Sequence, residues 1–539
     1  MRIGVDVGGT NTDAVLMDGH EILAWTKQPT TADVGAGVSA AVREVLRSGC
    51  VDSDAIRAVM IGTTHFTNAL VERSRLSRVG ILRLASPSGE ALPPLTGWPQ
   101  ALVERVGGPI FLLPGGYEVD GREIAPFDAG RVAAAVAELR TSGVDSVAIV
   151  SAFAPINATM ELRAAEIVRQ VHPEARISLS HEVGRIGLIE RENAVVLNAA
   201  LSSLGSHVIV ALERAIAEMG IAAPLFISQN DGTLISAKQA ATYPVLTIGS
   251  GPTNSMRGAA FLTGVENAIV LDVGGTTTDV GVLADGFPRE SSAAVDIGGV
   301  RTNFRMPDVL AVGLGGGTCV HLDRSLYAAD ALPEHALRLG PDSVGFRLTE
   351  EARVFGGRTL TASDIAVAAG MVQIGDAAAL PTLSPMAIET VLSRARAMIE
   401  EGVDRMKTVR GDAVVIAVGG GAFLVPDRLG GASRVERPPH AAVANAVGAA
   451  IAQVGAQVDQ VVDYDVEPRE VALARLCDEA GARVVAGGGV PETMLIVDID
   501  EVFLSYLPGR SAQVRIKAVG DLVLATGANS AEVREQFYV

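Results

Sequence analysis

Asp6-Val7-Gly8-Gly9-Thr10-Asn11-Thr12-Asp13, near the start of the chain, returns downstream as Asp272-Val273-Gly274-Gly275-Thr276-Thr277-Thr278-Asp279. Seven of the eight positions are identical, and the second copy begins 266 positions after the first, Asp6 to Asp272. Each copy follows a β-branched apolar run, Ile3 to Val7 and Ile269 to Val273, and precedes another, Ala14 to Met17 and Val280 to Leu283. Apolar run, Gly-Gly-Thr, apolar run predicts a β-hairpin. One copy alone reads equally well as an ordinary hairpin with a capping aspartate. Two copies imply two related units, and two such hairpins facing one cleft could grip a triphosphate from both sides.

The chemistry suits that reading. Paired glycines (Gly8, Gly9 and Gly274, Gly275) let a ligand approach the backbone closely. The hydroxyls of Thr10, Thr12, Thr276, Thr277 and Thr278, with neighbouring N–H groups, can hold phosphate oxygens. Asp6 and Asp272 end their strands at the hairpin mouths, and Asp13 lies on the return strand. A carboxylate there suits Mg²⁺ through its water shell, or an attacking water. No GxxxxGK[ST] and no strand-GxGxxG-helix fingerprint occurs, so neither a P-loop nor a dinucleotide fold is indicated.

A third glycine cluster ends the apolar run Val414 to Val418: Gly419, Gly420 and Gly421. Such a turn could lie against a purine or ribose, or be a tight strand-to-helix turn. Beyond it, Ala441 to Gln457 reads as a small-residue helix, in which Ala446, Gly448 and Ala449 would permit close crossing at a hinge.

Composition narrows the class. The chain has 539 residues, 48% hydrophobic and 20% charged, enough for about three packed domains. A net charge of −18 repels phosphate backbones and anionic lipid, which argues against nucleic acid and membrane as partners. Cys50, Cys319 and Cys477 lie far apart with no CxxC, neither a disulfide framework nor a zinc site. Asp6 falls where a signal peptide needs its apolar centre, and a cytoplasmic protein is expected.

In this order, hairpin, helix, hairpin, Gly-rich strand end and small-residue helix resemble the actin-like ATPase superfamily. The resemblance implies an α/β fold: a duplicated actin-like (RNase H-like) ATPase. The hairpins would be phosphate motifs, Gly419 to Gly421 the adenosine motif, and the cofactors ATP and Mg²⁺, the latter at Asp6 and Asp272. Further stretches narrow it. Ile61-Gly62-Thr63-Thr64-His65-Phe66-Thr67-Asn68-Ala69-Leu70-Val71-Glu72-Arg73 resembles the HGTTxxTNALLER signature of the hydantoinase/oxoprolinase A-subunit family. Ser180-His181-Glu182-Val183 with Glu190-Arg191-Glu192, then Ser250-Gly251-Pro252, Val312 to Thr318 and Leu360 to Asp364 are similar to others of its motifs. The chain departs from the pattern in three places. Ile61 stands where the family has histidine, Ser250-Gly251-Pro252 continues as Thr253-Asn254-Ser255, and only about 80 residues follow Gln457.

This resemblance implies an ATP-dependent amidohydrolase that phosphorylates a cyclic amide or imide for ring opening, working with a separate B-type subunit. An ATP-driven activator or assembly ATPase acting on a protein partner is the alternative, and a small-molecule kinase a third. Asp6, Asp272 and His65 are the candidate catalytic residues, and Thr63, Thr64, Asn68 and Arg191 the candidate substrate contacts. His65 reads either as a packed histidine or as a base, and Arg191 with Glu192 as a salt-bridged helix face or a substrate contact. Asp308 reads as a cap or a cleft residue; His181, His321, His440 and Cys319 read as structural.

Three regions are expected: 1–190 with the first hairpin and an inserted α/β subdomain, 191–457 with the second hairpin, and a small α/β, β-rich cap over 458–539. Residues 75–127 read as loops and short strands, and Phe127 to Val183 as helix, strand, helix. Oligomerisation is an open possibility.

Overall fold

The computed structural model describes residues 1–524 apart from 32, 292–294, 304–305, 330–332, 334–335, 409 and 505–508. Residues 525–539 of the expected cap lie outside the described residues, as does part of its β-rich stretch.

Both repeats fold as hairpins in the same register. β1 (Arg2–Val7) pairs with β2 (Asn11–Asp18) so that Asp6 faces Asp13 and Val7 faces Thr12. Farther along the chain, Ala268–Val273 pairs with Thr278–Ala284 so that Asp272 faces Asp279 and Val273 faces Thr278. Each turn closes alike: the Gly8 N–H donates to the Asn11 carbonyl, and Gly274 N–H to that of Thr277, both at 2.9 Å. A parallel strand then lies beside each first strand. β4 (Ala58–Thr63; β3 is Glu21–Pro29) runs beside β1 with Thr63 opposite Val7. Ala413–Val418 runs beside Ala268–Val273 with Val418 opposite Asp272. By this internal symmetry the Thr63-Thr64 turn and the Gly419-Gly421 turn are counterparts.

Helices seal the apolar faces. α1 (Val34–Gly49), capped by the Asp33 carboxylate on the Ala36 N–H, buries Val38, Ala41, Val42 and Val45. The Leu188–Glu218 helix is long and apolar enough to cross a bilayer, but most of its apolar window is buried inside the fold. The helices Ser250–Thr263 and Ala444–Ile451 cross between the halves almost backbone to backbone. A Cβ on Gly258 would sit 1.9 Å from the Ala444 carbonyl oxygen, and one on Gly448 1.8 Å from that of Asn254. This is the expected close crossing, but the helix stops at Ile451 rather than Gln457. From Val454 the chain is a strand, because its backbone pairs with Leu234 on one side and with Ser511–Gly520 on the other.

The first sheet draws on three distant parts of the chain. From one edge it runs Leu495–Phe503, Ser511–Gly520, Val454–Asp463, Leu234–Ser236, Leu225–Ser228, β4, β1, β2, β3. Position 190 is therefore not a sheet boundary, and the tail prolongs this sheet, with the helix Arg469–Ala486 packed on it through Leu476, Ala480 and Val484. The inserted subdomain is a four-stranded parallel sheet. Its inner strands, Val79–Ser86 and Ser146–Ser151, are buried along their whole length. Residues 75–127, expected as loops and short strands, hold the strand Val79–Ser86, a helix Gln100–Val106 and a second strand Gly107–Pro114. The Pro- and Gly-rich surroundings of Val79–Ser86 hid its length, eight residues covered on both faces.

Candidate active site

The first hairpin tip meets the second across the cleft. Thr10 Cγ2 and Oγ1 lie 3.6 Å from where a Cβ on Gly275 would stand. Gly8 to Thr10 and Gly274 to Thr277 are partly or fully open to solvent there. Gly419, at φ +87°, lies against the second hairpin: a Cβ on it would sit 2.4 Å from Asp272 Oδ1, so only glycine fits. Gly421 is equally close to the backbone of Val273 and Gly274, and Gly420 is exposed in the cleft.

Carboxylates collect behind these turns. Asp6 is buried and accepts from Asn445 Nδ2 at 3.0 Å, with Asn254 Nδ2 at 3.5 Å. Asp13, also buried, accepts from the same Asn445 nitrogen at 2.9 Å and is ion-paired with Lys27 at 2.6 Å. Asp272 accepts from Ser255 Oγ at 2.6 Å. Burial pushes the Asp6 carboxyl up to about 7, with Asp13 and Asp272 adding repulsion and Asn254 and Asn445 opposing it. Burial, then Asp272, raises Asp279 to about 7 as well. Burial also raises Asp13 against the pull of Lys27, and Asp272 against that of Ser255 and Lys27. Four carboxylates share one lysine, so the pocket holds more negative than positive charge and favours a proton or a cation.

Among the described residues no three His, Cys, Asp or Glu side chains converge as a metal cage. A cation here would be held by one or two carboxylates and water, which is how Mg²⁺ is commonly bound beside phosphates. Asp6 and Asp272 fit that role. The buried Asn254 Oδ1, beside Asp6, has no hydrogen-bond partner and could accept from such a water.

The family-signature residues lie on the first hairpin's flank. Thr64 N–H and Oγ1 both donate to the Val7 carbonyl, and Asn68 Nδ2 reaches Thr64 Oγ1 at 3.5 Å, 4.0 Å from a Cβ position on the exposed Gly9. His65 opens the short helix α2 (His65–Val71), with Nδ1 2.9 Å from Thr63 Oγ1; burial, then Arg75, lowers its pKa. Gly62 is fixed by crowding, since a Cβ on it would lie 2.4 Å from Asn254 Nδ2 and 2.5 Å from Asp6 Oδ1.

Three expected residues are not in the cleft chemistry. Thr12 and Thr278 are buried on their hairpins' second strands. The Thr12 hydroxyl bonds Thr30 Oγ1 at 3.2 Å, and that of Thr278 donates to the Leu314 carbonyl at 2.6 Å. Both hold hairpins rather than face a phosphate. Arg191 is fully buried, and its guanidinium donates to Ser180 Oγ and to the carbonyls of Ser151, Arg185 and Ile186. It therefore offers no substrate contact. Glu192 beside it pairs with buried Arg83, Nε to Oε2 at 2.6 Å, and Asp308 pairs with Arg289.

Sequence reasoning left out five members of the cluster: Asp279, Lys27, Asn254, Ser255 and Asn445. Asp279 carried a signal, being the repeat's counterpart of Asp13. Asn254 and Ser255 stood out only as departures from a motif, and Asn445 lies inside the small-residue stretch Ala441 to Gln457. Lys27 bridges the halves: paired with Asp13, its Cε lies 3.5 Å from a Cβ position on Gly420.

Comparison with known proteins agrees with this architecture. Residues 2–172 match the hydantoinase/oxoprolinase N-terminal region and residues 191–382 the hydantoinase/oxoprolinase model. Caprolactamase subunit alpha of Pseudomonas jessenii is 28% identical over 403 residues, 69% of this chain and 55% of that protein. Acetophenone carboxylase gamma subunit of Aromatoleum aromaticum is 27% identical over 413 residues, 69% and 53%. The chain thus spans about half the length of the curated relatives it matches. The crystal structure of ATP-dependent caprolactamase from P. jessenii superposes with a TM-score of 0.74 at 23% identity, covering all of this chain and 84% of that one. Nucleotide-free acetone carboxylase gives 0.69 at 17%, covering 98% and 88%. These likenesses show the duplicated actin-like ATPase fold. From its two matched regions and the order of its motifs, the chain belongs to the hydantoinase/oxoprolinase family.

Proposed function

We propose that the protein is an ATP-dependent hydrolase that activates a cyclic amide or imide by phosphorylating its carbonyl oxygen, leaving an imidate-like phosphate open to water. The observation that carries this reading is the pair of hairpins in one register, meeting at Thr10 and Gly275 with Asp6 and Asp272 behind them. Phosphoryl transfer asks for positioning and charge neutralisation. The exposed turns Gly8 to Thr10 and Gly274 to Thr277 offer N–H and hydroxyl donors to phosphates, and Gly419 to Gly421 a flat floor for adenosine. Mg²⁺, held through water by Asp6 and Asp272, would neutralise phosphate charge there. Thr64, Asn68 and His65 lie on the first hairpin's flank and are the residues of choice for the substrate side, with buried Thr63 holding the His65 ring through its hydroxyl.

Relatives named as subunits support a B-type partner protein for ring opening. Among them are carboxylase subunits, which favour a second reading: activation of a ketone for carboxylation. Lactam hydrolysis and ketone carboxylation can share one first step, phosphorylation of a carbonyl oxygen, so the hairpin clamp serves either.

The test is ATP turnover by the purified protein, alone and with its genomic neighbour. Lactams, hydantoin and oxoproline should stimulate it; stimulation only by ketone with bicarbonate would favour the second reading. Asp272→Asn should keep its circular dichroism and lose about 10²–10⁴ in rate, the usual cost of removing a positioned charge at a reacting centre. Near-normal ATP hydrolysis by that variant would reduce the second hairpin to scaffold.

A further inference from the structure

A second cavity, of about 1010 Å³, opens between the inserted subdomain, the strand Leu234–Ser236 and the C-terminal extension of the first sheet. That is at the upper end of volumes that hold small molecules. Its aliphatic wall includes Ile156, Val183, Leu234, Ile235, Leu246 and Val454, and its described lining has no Phe, Tyr or Trp. Three of its charges are answered from within the protein, Asp231 by Lys517 at 2.9 Å, Asp459 by Arg515, and Arg483 by Glu479, and Glu182, Arg185 and Lys238 line it as well. The aliphatic wall suits a hydrocarbon ring, and the polar residues beside it suit a guest that hydrogen-bonds.

One lining residue is built for recognition. His181 Nδ1 lies 2.6 Å from Oε2 of Glu161, a fully buried carboxylate. Glu161 also accepts from the Ser151 N–H at 2.8 Å, the His181 N–H at 3.2 Å and the Ser180 hydroxyl. A carboxylate only accepts, so every proton direction is fixed. Arg191 Nε–H donates to Ser180 Oγ, Ser180 donates to Glu161, and His181 Nδ1–H donates to Glu161. In the neutral ring this leaves Nε2 as a bare acceptor, and Nε2 has no partner among the described residues. Arg191 completes the support by tying the carbonyls of Arg185 and Ile186, which fixes the loop carrying His181.

The cavity's lining is also linked to the carboxylate cluster through two consecutive residues of one helix. Thr253 Oγ1 donates to the carbonyl of Asn230, a cavity-lining residue, at 2.9 Å, and the next residue, Asn254, reaches Asp6.

We propose that this cavity binds secondary lactams, with His181 Nε2 accepting the ring N–H and Glu161, Ser180 and Arg191 as positioning residues. The ligand class rests on the cyclic-amide reading above; the site itself rests on the dyad and the cavity.

The test uses the full chain without nucleotide. It is titrated calorimetrically with 2-pyrrolidone, 2-piperidone and ε-caprolactam and with their N-methyl counterparts. At least one secondary lactam should bind, and its N-methyl counterpart at least tenfold more weakly, because a site built to meet an N–H rejects the analogue lacking it. In ¹⁵N-histidine-labelled protein, the Nε2 resonance that disappears in His181→Gln should move on lactam addition. Binding of none of the lactams, equal binding of the N-methyl forms, or an unmoved His181 resonance overturns the proposal. The N-methyl comparison needs no variant, so misfolding cannot blur it. Since no nucleotide is present, failure here leaves the ATP-clamp reading standing, and absence of ATP turnover leaves this site standing.

Discussion

Asp6 holds its proton up to about pH 7, against an ordinary 3.8. Between those values the folded chain binds a proton that the unfolded chain has released, so stability from this group falls as pH rises through the window. Asp6→Asn cannot ionise. In urea melts it should gain on the wild type as pH rises from about 5 to about 8; parallel pH curves for the two would show that the carboxylate is not strained by its surroundings. How far such a site can be read in advance depends on where its residues come from. Asp6, Asp13 and Asp272 were legible because repetition marks them. Asn445 and Asn254 were not, since they arrive from helices more than 200 residues from the hairpin they serve. Arg191 shows the opposite error. An arginine on a helix reads the same whether it faces a cleft or a buried carboxylate, and only the fold shows that Glu161 and Ser180 lie beneath it.

Glycines set the distance between the two central helices. With a Cβ on Gly448 only 1.8 Å from the Asn254 carbonyl oxygen, the helices cannot keep their crossing if that position gains a methyl group. Gly448→Ala should cost at least the ~1–3 kcal/mol typical of overpacking and lower the urea midpoint accordingly. It should also weaken Mg-ATP stabilisation, because the same contact positions Asn254 against Asp6. An unchanged midpoint would mean that the crossing relaxes freely. Both hairpins and this crossing were foreseen from local pattern alone, because glycine pairs and small-residue spacing act over a few residues. The end of the second helix was not. Val454–Asp463 becomes a strand through pairing with Leu234 and Ser511–Gly520, partners that no local window contains. Likewise Val79–Ser86 is a strand because Gly107–Pro114 and Ser146–Ser151 pair with it along both edges.

At the scale of the molecule, one buried ammonium joins three regions. Lys517, on the strand Ser511–Gly520, pairs with Asp231 of the first half at 2.9 Å and with Glu290 beyond the second hairpin at 3.0 Å. Lys517→Met would remove the cation that neutralises these two carboxylates, and loss of a buried charge partner costs about 3–5 kcal/mol. The denaturation midpoint should fall at pH 7 and recover partly in acid, where those carboxylates protonate; an equal loss at both would point to packing instead. The duplicated plan was legible in the repeat. That the last strands prolong the first sheet was not, because strand order between distant segments leaves no local trace. That order has a consequence for synthesis. The strand Leu234–Ser236, interior in the finished sheet, leaves the ribosome roughly 200 residues before its neighbour Val454–Asp463 and stays at an edge for about 10–40 s at roughly 5–20 residues per second. Throughout that time the growing chain carries an open strand edge, a template for pairing with other chains, so the nascent protein needs a chaperone's cover longest at the very seam its final strands will close.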